Sequence, residues 1–223
     1  MKDLKAIRGY RYIAELVERG EDVTQDFKLT VNDARKIART VSAFANNAGG
    51  HLLIGVKDNG VIAGIRSEED IFVVEQAAQR YCTPPQQVEF TAFRAGTDDS
   101  ERPGTKASVV IRAYIAPTKN RPVSVIESDG SRRAYFRVAD ENIVADPLMT
   151  RAWQRAEDND TVCSAYDDIH RQIIDAVNSG IDTPATIARA IHASQRLTDD
   201  AIVTLLRMDI LHFDYIDNKW HLC

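Results

Sequence analysis

Side chains that could contact phosphate are concentrated on one face of a helix predicted over residues 31–47. Arg35, Lys36 and Arg39 lie opposite the apolar positions of this helix, and Ser42 and Asn46 continue the same face with small polar groups. Lysine and arginine supply much of the affinity of proteins for nucleic acid, because they neutralise phosphate charge. A second basic cluster lies further along the chain and contains Arg132, Arg133 and Arg137.

Apolar residues at helical spacing define the helix that carries the first basic cluster, and Asn32 is its predicted N-cap. Gly49 and Gly50 end the helix, because glycine accepts the left-handed conformation that a helix terminus commonly needs. A buried strand is predicted over residues 51–56 and a tight turn over residues 57–60. The apolar helix positions are Ala34, Ile37, Ala38, Val41, Phe44, Ala45 and Ala48.

Several short motifs lie close together in this part of the chain. Glu21 is followed by Asp26-Phe27-Lys28, by SAFANNAGG at residues 42–50, and by LIGVKDNG at residues 53–60 with IAG at 62–64. This pattern resembles the Schlafen-type AlbA-like DNA-binding domain, whose usual motifs are Glu-x4-Glu-x-Lys, Ala-Phe-Ala-Asn-Thr-x-Gly-Gly and Ile-Gly-Val-Asp-Asp-x-Gly. The resemblance extends over about residues 5–144, and its sharp motifs lie between residues 21 and 64.

The resemblance also implies an acidic site. In the Schlafen branch that cleaves RNA, two glutamates and an aspartate form this site, and the matching positions here are Glu21, Asp26 and Asp58. Three carboxylates can bind Mg²⁺ or Mn²⁺, and Lys28 could neutralise the phosphate. Two positions depart from the pattern: Asp26 replaces the more common glutamate, and Lys57 replaces the first of two acidic residues. The alternative is that these carboxylates are ordinary surface and turn residues.

Charge is distributed unevenly along the 223 residues. Residues 1–147 contain 21 basic and 21 acidic side chains, whereas residues 148–223 contain 7 and 12, so the net charge of −5 arises from the C-terminal part. An acidic segment is a poor main contact surface for nucleic acid. The three cysteines are widely spaced, which favours reduced thiols over disulfides or a zinc site. We expect a cytoplasmic protein with no membrane association, since no apolar run reaches the length of a membrane span.

The N-terminal domain is predicted to be α+β, with helices packed on a mixed sheet, and to extend over residues 1–156. Further strands are predicted over residues 87–95, 106–115, 122–127 and 134–138. In the last of these, Tyr135 and Arg137 share a face, which is either a nucleic-acid platform or the outer face of an edge strand. A polar break at residues 156–160 is the predicted domain boundary.

Residues 161–223 are predicted to form a winged helix-turn-helix domain, with helices over residues 167–177, 183–193 and 198–208 and a closing hairpin. A DNA-reading third helix needs basic and amide side chains at its start. The predicted start is Thr198-Asp199-Asp200, and its carboxylates would be repelled by phosphate. Dimerisation or docking on the first domain is therefore the alternative to direct DNA contact.

The sequence favours a nucleic-acid-binding protein, a bacterial or phage-type transcriptional regulator that prefers DNA to RNA, needs no cofactor and forms a homodimer. The alternative is a metal-dependent endoribonuclease that uses Glu21, Asp26 and Asp58 with Mg²⁺ or Mn²⁺. Nucleotide binding is not favoured, because the chain has no phosphate-binding Gly-x4-Gly-Lys-[Ser/Thr] loop. The histidines, most of which lie in apolar segments of the C-terminal domain, are expected to be packing residues.

Overall fold

A computed structural model describes residues 4–95, 108–155, 166–217 and 219–223. The chain divides into two compact units, Met1–Val144 and Ala145–Cys223. Elements of the first unit, in chain order, are β1 (Ile7–Arg8), α1 (Tyr10–Arg19), β2 (Gln25–Lys28), α2 (Ala34–Asn46), β3 (Gly50–Ile54), α3 (Glu69–Gln76), a π-helical turn (Ala77–Tyr81), β4 (Cys82–Thr83), β5 (Val88–Arg94), β6 (Val109–Ile115), β7 (Ser124–Ile126), β8 (Arg132–Val138) and β9 (Glu141–Val144).

Five strands form the first sheet, in the order β1-β5-β6-β3-β2. The β1–β5 and β2–β3 pairs are parallel and the β3–β6 and β5–β6 pairs are antiparallel, so the sheet is mixed as predicted. Helix α1 buries Ile13 and Leu16 against Phe27 and Leu53 on one face of this sheet. Helix α2 packs on the other face, where Leu52 joins the largest core cluster.

A second sheet of four antiparallel strands, β4-β7-β8-β9, packs on the opposite side of α2. Helix α2 therefore lies between two sheets, and from Ile37 to Asn46 every residue except Arg39 is buried. The sequence analysis expected one buried helix face and a single sheet. Because Ser42 and Asn46 are polar, their side of the helix resembled a solvent-exposed surface, although it forms an interface.

The second unit contains α4 (Pro147–Gln154), α5 (Asp168–Asn178), α6 (Pro184–Ala190), α7 (Gln195–Arg207), β10 (Leu211–Asp214) and β11 (Lys219–Leu222). Its core is formed by Ile173, Ile187, Ile202, Leu205 and Trp220, with Leu148 from α4. Helix α4 therefore belongs to this unit, whereas the sequence analysis placed it in the first domain. The boundary predicted at residues 156–160 lies outside the described residues.

Helices α5 to α7 and the β10–β11 hairpin follow the element order expected for a winged helix. That classification remains a prediction. Helix α7 begins at Gln195, three residues before the predicted start, because the Ser194 hydroxyl accepts a hydrogen bond from the Leu197 amide and caps the helix. In the described part of the chain, none of the helices has the length and apolar character needed to cross a membrane.

Candidate nucleic-acid interface

Strand β2 brings Glu21 and Asp26 together at the edge of the first sheet. Glu21 Oε1 accepts a hydrogen bond of 2.7 Å from the amide of Phe27, so its carboxyl group lies alongside the strand. Burial, and then a hydrogen bond with Asp26, raise the pKa of Glu21. The two carboxyl groups predicted as the first members of an acidic site are therefore neighbours.

Arg137 contacts Asp26 of this carboxyl pair from the interior of the protein. Its guanidinium donates to the backbone oxygens of Asp22 and Gln25 and to the side chain of Asn142, and lies 3.3 Å from Asp26 Oδ1. Only 2% of Arg137 is exposed. The sequence analysis placed Arg137 on an exposed nucleic-acid surface, and the structure corrects this, because β8 is an inner strand and its Arg137 faces α2.

Lys28 reaches the same carboxylate from the solvent side. Its ammonium group lies 3.1 Å from Asp26 and donates to the Phe27 carbonyl oxygen at 2.7 Å. Asp26 is thus held between a buried guanidinium and a partly exposed ammonium group. A bound cation at this carboxylate would have to compete with both groups.

Asp58 lies apart from the carboxyl pair. It is an exposed residue of the turn after β3, and this turn rests on α1, since a Cβ at Gly60 would come within 3.1 Å of Val17. Asp26 lies on the other face of the sheet, where Arg137 covers the ring of Phe44. Among the described residues, Glu21, Asp26 and Asp58 do not form a group whose possible ligand atoms lie within 4.8 Å of one another.

A cleft of about 460 Å³ opens beside the carboxyl pair, between β2, the start of α2 and the β8–β9 turn. Basic and acidic side chains alternate around it, so the cleft has no strong net charge. The charged lining residues are Asp26, Lys28, Asp33, Lys36, Arg39, Arg137, Asp140 and Glu141.

Arg39 is fixed at the edge of this cleft by Glu127. Its Nε and Nη2 atoms donate to the two carboxylate oxygens at 3.0 and 2.7 Å, and the Tyr135 hydroxyl donates to the same carboxylate. The Arg39 guanidinium holds the pKa of Glu127 below its usual range, whereas burial and then the bond to Glu127 raise the pKa of Tyr135 to about 12. Glu127 is therefore charged at neutral pH, and Arg39 remains 42% exposed in a defined orientation.

Glu127 also brings the two basic clusters of the sequence together. It follows β7, its amide bonds to Ser131 just before β8, and Arg133 contributes to its low pKa. Arg35 completes the surface by stacking on the ring of Tyr81 at 4.9 Å. We call Arg35, Lys36, Arg39 and Arg133 the basic face; Arg132 points to the opposite side of β8 because side chains alternate along a strand.

The polar positions Ser42 and Asn46 of α2 have a structural role that the sequence analysis missed. Ser42 Oγ donates to the Val123 carbonyl and accepts from the Tyr135 amide. Asn46 donates to the carbonyl oxygens of Val123 and Tyr135 and accepts from the Val123 amide. The sequence did contain a signal for this role, because Ser42 and Asn46 are four residues apart and both side chains therefore lie on one strip of the helix.

The start of α7 differs from the acidic helix start that the sequence suggested. Asp199 and Asp200 lie in its second turn, and Gln195 donates to Asp199 at 2.6 Å. Asp200 forms ion pairs with Arg151 of α4 and with Arg155, which follows that helix. The first turn therefore presents Gln195, Arg196 and Leu197 to solvent, and the repulsion that argued against DNA contact is reduced.

The fold and the basic face define an α+β domain in which one helix is enclosed by two sheets and carries cations at its exposed end. The family model described as Schlafen, AlbA_2 matches residues 21–146, which is more than half of the chain. The chain therefore belongs to this Schlafen AlbA_2 family, as the motifs between Glu21 and Gly64 predicted.

Comparisons with curated sequences and with solved structures add little to the family assignment. No curated protein sequence matches this chain. Among solved structures, the DIP2311 protein from Corynebacterium diphtheriae is 18% identical with a TM-score of 0.43, and the match covers 74% of this chain and 37% of that chain. This chain thus corresponds to little more than a third of the length of that protein.

Proposed function

We propose that this protein binds nucleic acid, with DNA preferred to RNA, and acts as a transcriptional regulator. The observation that carries the proposal is the ion pair between Arg39 and Glu127, which places basic residues from two distant parts of the sequence on one surface. Membership of the Schlafen AlbA_2 family supports the nucleic-acid-binding part of this proposal. No cofactor is part of this proposal, and the cytoplasmic location stays a prediction.

The chemistry of the basic face suits phosphate rather than base edges. Arg39 is oriented by its bidentate pair and keeps part of its guanidinium open to a second acceptor. Lys36 and Arg133 are exposed, and the nearest partner of Arg133 is Asp129 at 3.6 Å. Contacts of this kind position a duplex and provide affinity that depends on salt, with little sequence information.

We extend the proposal to the second unit, in which α5, α6, α7 and the β10–β11 hairpin would act as a winged helix. Support comes from the exposed amide and guanidinium of Gln195 and Arg196 in the first turn of α7. We also propose a homodimer, since regulators with two-fold symmetry bind paired half-sites. Sedimentation equilibrium of the full chain tests the dimer directly, and a single monomer mass at all concentrations would refute it.

The decisive experiment measures binding of labelled duplex DNA and of a transfer-RNA-like RNA over a range of salt concentrations. We expect log K to fall with log salt with a slope of about −3, as for roughly three phosphate contacts. The double variant Lys36→Ala/Arg133→Ala should reduce that slope by about 2. A matched control, Lys57→Ala/Lys119→Ala, removes the same charge from exposed positions outside the basic face.

Equal weakening by both double variants would show that binding follows net charge and not the basic face, and would contradict the proposal. Absence of salt-dependent binding to either nucleic acid would contradict it as well. Stronger binding of RNA than of duplex DNA would overturn only the stated preference for DNA.

A second candidate function, metal-dependent RNA cleavage, is favoured by the meeting of Glu21 and Asp26 beside Lys28. The sequence resemblance adds Asp58, and Mg²⁺ or Mn²⁺ would supply the activation of water. Adding Mn²⁺ to the RNA samples tests this candidate. Cleavage that disappears in Glu21→Gln, while binding is retained, would support it, and intact RNA at all Mn²⁺ concentrations would eliminate it.

A further inference from the structure

The β10–β11 hairpin of the second unit has one apolar and one polar face. Leu211 and Trp220 are buried in the core of this unit, and Phe213 packs against it. The alternate positions His212 and His221 are direct cross-strand partners, and their rings stack with centroids 5.6 Å apart. The sequence analysis expected packing histidines, but His212 is exposed and His221 is only partly buried.

The end of β10 and the following turn add two carboxylates to this polar face. Asp217 Oδ2 lies 2.8 Å from His221 Nε2. Within the described part of the chain, Asp214, Asp217 and His221 can each offer one ligand atom such that these atoms all lie within 4.8 Å of one another. Two further donors are adjacent, since Cys223 Sγ lies 3.6 Å from His212 Nδ1.

The ammonium group of this hairpin pairs with a carboxylate outside the cluster. Lys219 is the cross-strand partner of Asp214, but its Nζ lies 2.8 Å from Asp182 Oδ2 and lowers the pKa of that carboxyl group. Asp214 Oδ1 and Asp217 Oδ1 accept hydrogen bonds from the turn itself, from the amides of Ile216 and Lys219 respectively. The turn is thereby shaped so that both carboxylates remain beside His221.

We propose that Asp214, Asp217 and His221 bind a divalent transition-metal ion of the Zn²⁺ class. One imidazole nitrogen and two carboxylate oxygens are ligands that Zn²⁺ accepts at about 2.0–2.2 Å. The ligand atoms lie within 4.8 Å of one another, so a local adjustment of these side chains, of which Asp217 is exposed and the other two are half-buried, would reach such distances. The imidazole favours this class over Mg²⁺ and Ca²⁺, which prefer oxygen ligands alone. The site is separate from the basic face and does not depend on the proposed function.

The test is titration calorimetry of the full chain, freed of metal by a chelator, with ZnCl₂ and in parallel with MgCl₂. We expect saturable binding of one Zn²⁺ per chain at pH 7.5, because the three side chains provide one set of ligands. Asp217→Asn/His221→Gln should weaken this binding at least tenfold. The control Asp175→Asn/His192→Gln changes the same residue types at exposed positions elsewhere in the unit and should leave it unchanged.

Visible absorption of bound Co²⁺ gives a second readout that does not depend on affinity, because a site with protein ligands changes the spectrum of the aqueous ion. Circular dichroism confirms that the variants remain folded. The proposal is overturned if both double variants bind Zn²⁺ equally well, or if binding is lost in His212→Gln/Cys223→Ser and intact in Asp217→Asn/His221→Gln. Binding of Mg²⁺ as tight as Zn²⁺ would also overturn the assigned class of metal.

Discussion

The side-chain amide of Asn46 forms hydrogen bonds with Tyr135 of β8 and with Val123, just before β7. Its Nδ2 lies 2.9 Å from the carbonyl oxygens of Val123 and Tyr135, and its Oδ1 accepts from the Val123 amide at 2.8 Å. Asn46 is completely buried. Its removal would leave backbone groups without partners in a place that water does not reach, which is the costly case for a hydrogen bond.

We therefore expect Asn46→Ala to lower the free energy of unfolding of the first unit by about 3 kcal/mol, from two or three unpaired groups. Urea denaturation followed by far-ultraviolet circular dichroism measures this change. The control Asn120→Ala, in an exposed loop, should change the free energy by less than about 0.5 kcal/mol. A loss below about 1 kcal/mol in Asn46→Ala would mean that the strands find other partners.

At the same scale, Glu21 makes stability depend on pH. Its pKa is raised above 4.5, so between 4.5 and the folded pKa the folded protein binds more protons than the unfolded chain. The free energy of unfolding should therefore fall as pH rises through this interval. Glu21→Gln mimics the protonated carboxyl group and should remove this contribution.

The measurement compares wild type with Glu21→Gln at pH 5 and pH 7, so that other titrating groups cancel. Wild type should gain stability relative to the variant as the pH is lowered. Glu141→Gln, which changes an exposed carboxylate, is the control and should show no such difference. A constant difference between wild type and Glu21→Gln at both pH values would contradict the raised pKa of Glu21.

At the scale of elements, Gly50 determines how closely β3 follows α2. A Cβ at Gly50 would lie 2.4 Å from the Phe44 ring, so only glycine allows this ring to cover the start of the strand. The double glycine was predicted to end the helix, and Gly49 does have a φ of +78°. Gly50 has a different role, which depends on a packing contact and not on its backbone conformation.

We expect Gly50→Ala to destabilise the first unit by about 2 kcal/mol through overpacking. In a protein that already carries Phe44→Leu, Gly50→Ala should lower the free energy of unfolding clearly less, because the smaller leucine side chain removes the clash. A double-mutant cycle measured by urea denaturation gives the coupling between the two positions. Additive effects of the two changes would show that the clash does not cause the loss.

At the scale of the whole molecule, each unit has its own apolar core. The clusters around Phe44 and Phe27 belong to the first unit, and the cluster around Ile202 belongs to the second. Both tryptophans of the chain, Trp153 and Trp220, lie in the second unit. Tryptophan fluorescence therefore reports that unit alone, whereas circular dichroism reports both.

We expect two unfolding transitions, because separate cores allow separate cooperative units. The fluorescence transition should match one of the two transitions seen by circular dichroism. Asn46→Ala should move the other transition and leave the fluorescence transition in place. A single transition that both probes report, and that Asn46→Ala shifts as a whole, would show that the two units unfold together.

The sequence alone determined the family and most of the local structure. Apolar residues at a spacing of three to four predicted α2, and the residues typical of a tight turn predicted the bend after β3. The motifs from Glu21 to Gly64 predicted the Schlafen AlbA_2 domain that the family model matches. These features depend on residues that are neighbours along the chain. Their physical causes, propensity, capping and turn geometry, are therefore visible in short stretches of sequence.

Only the tertiary structure decided which charged residues are surface residues and which are internal. Arg133 and Arg137 are four residues apart on one strand, yet Arg137 is buried against Asp26 and Arg133 is exposed near Glu127. The partners Glu127 of Arg39 and Val123 of Asn46 flank β7, about eighty residues further along the chain. Periodicity cannot show such contacts, because which sheet covers which face of a helix depends on how distant segments pack together.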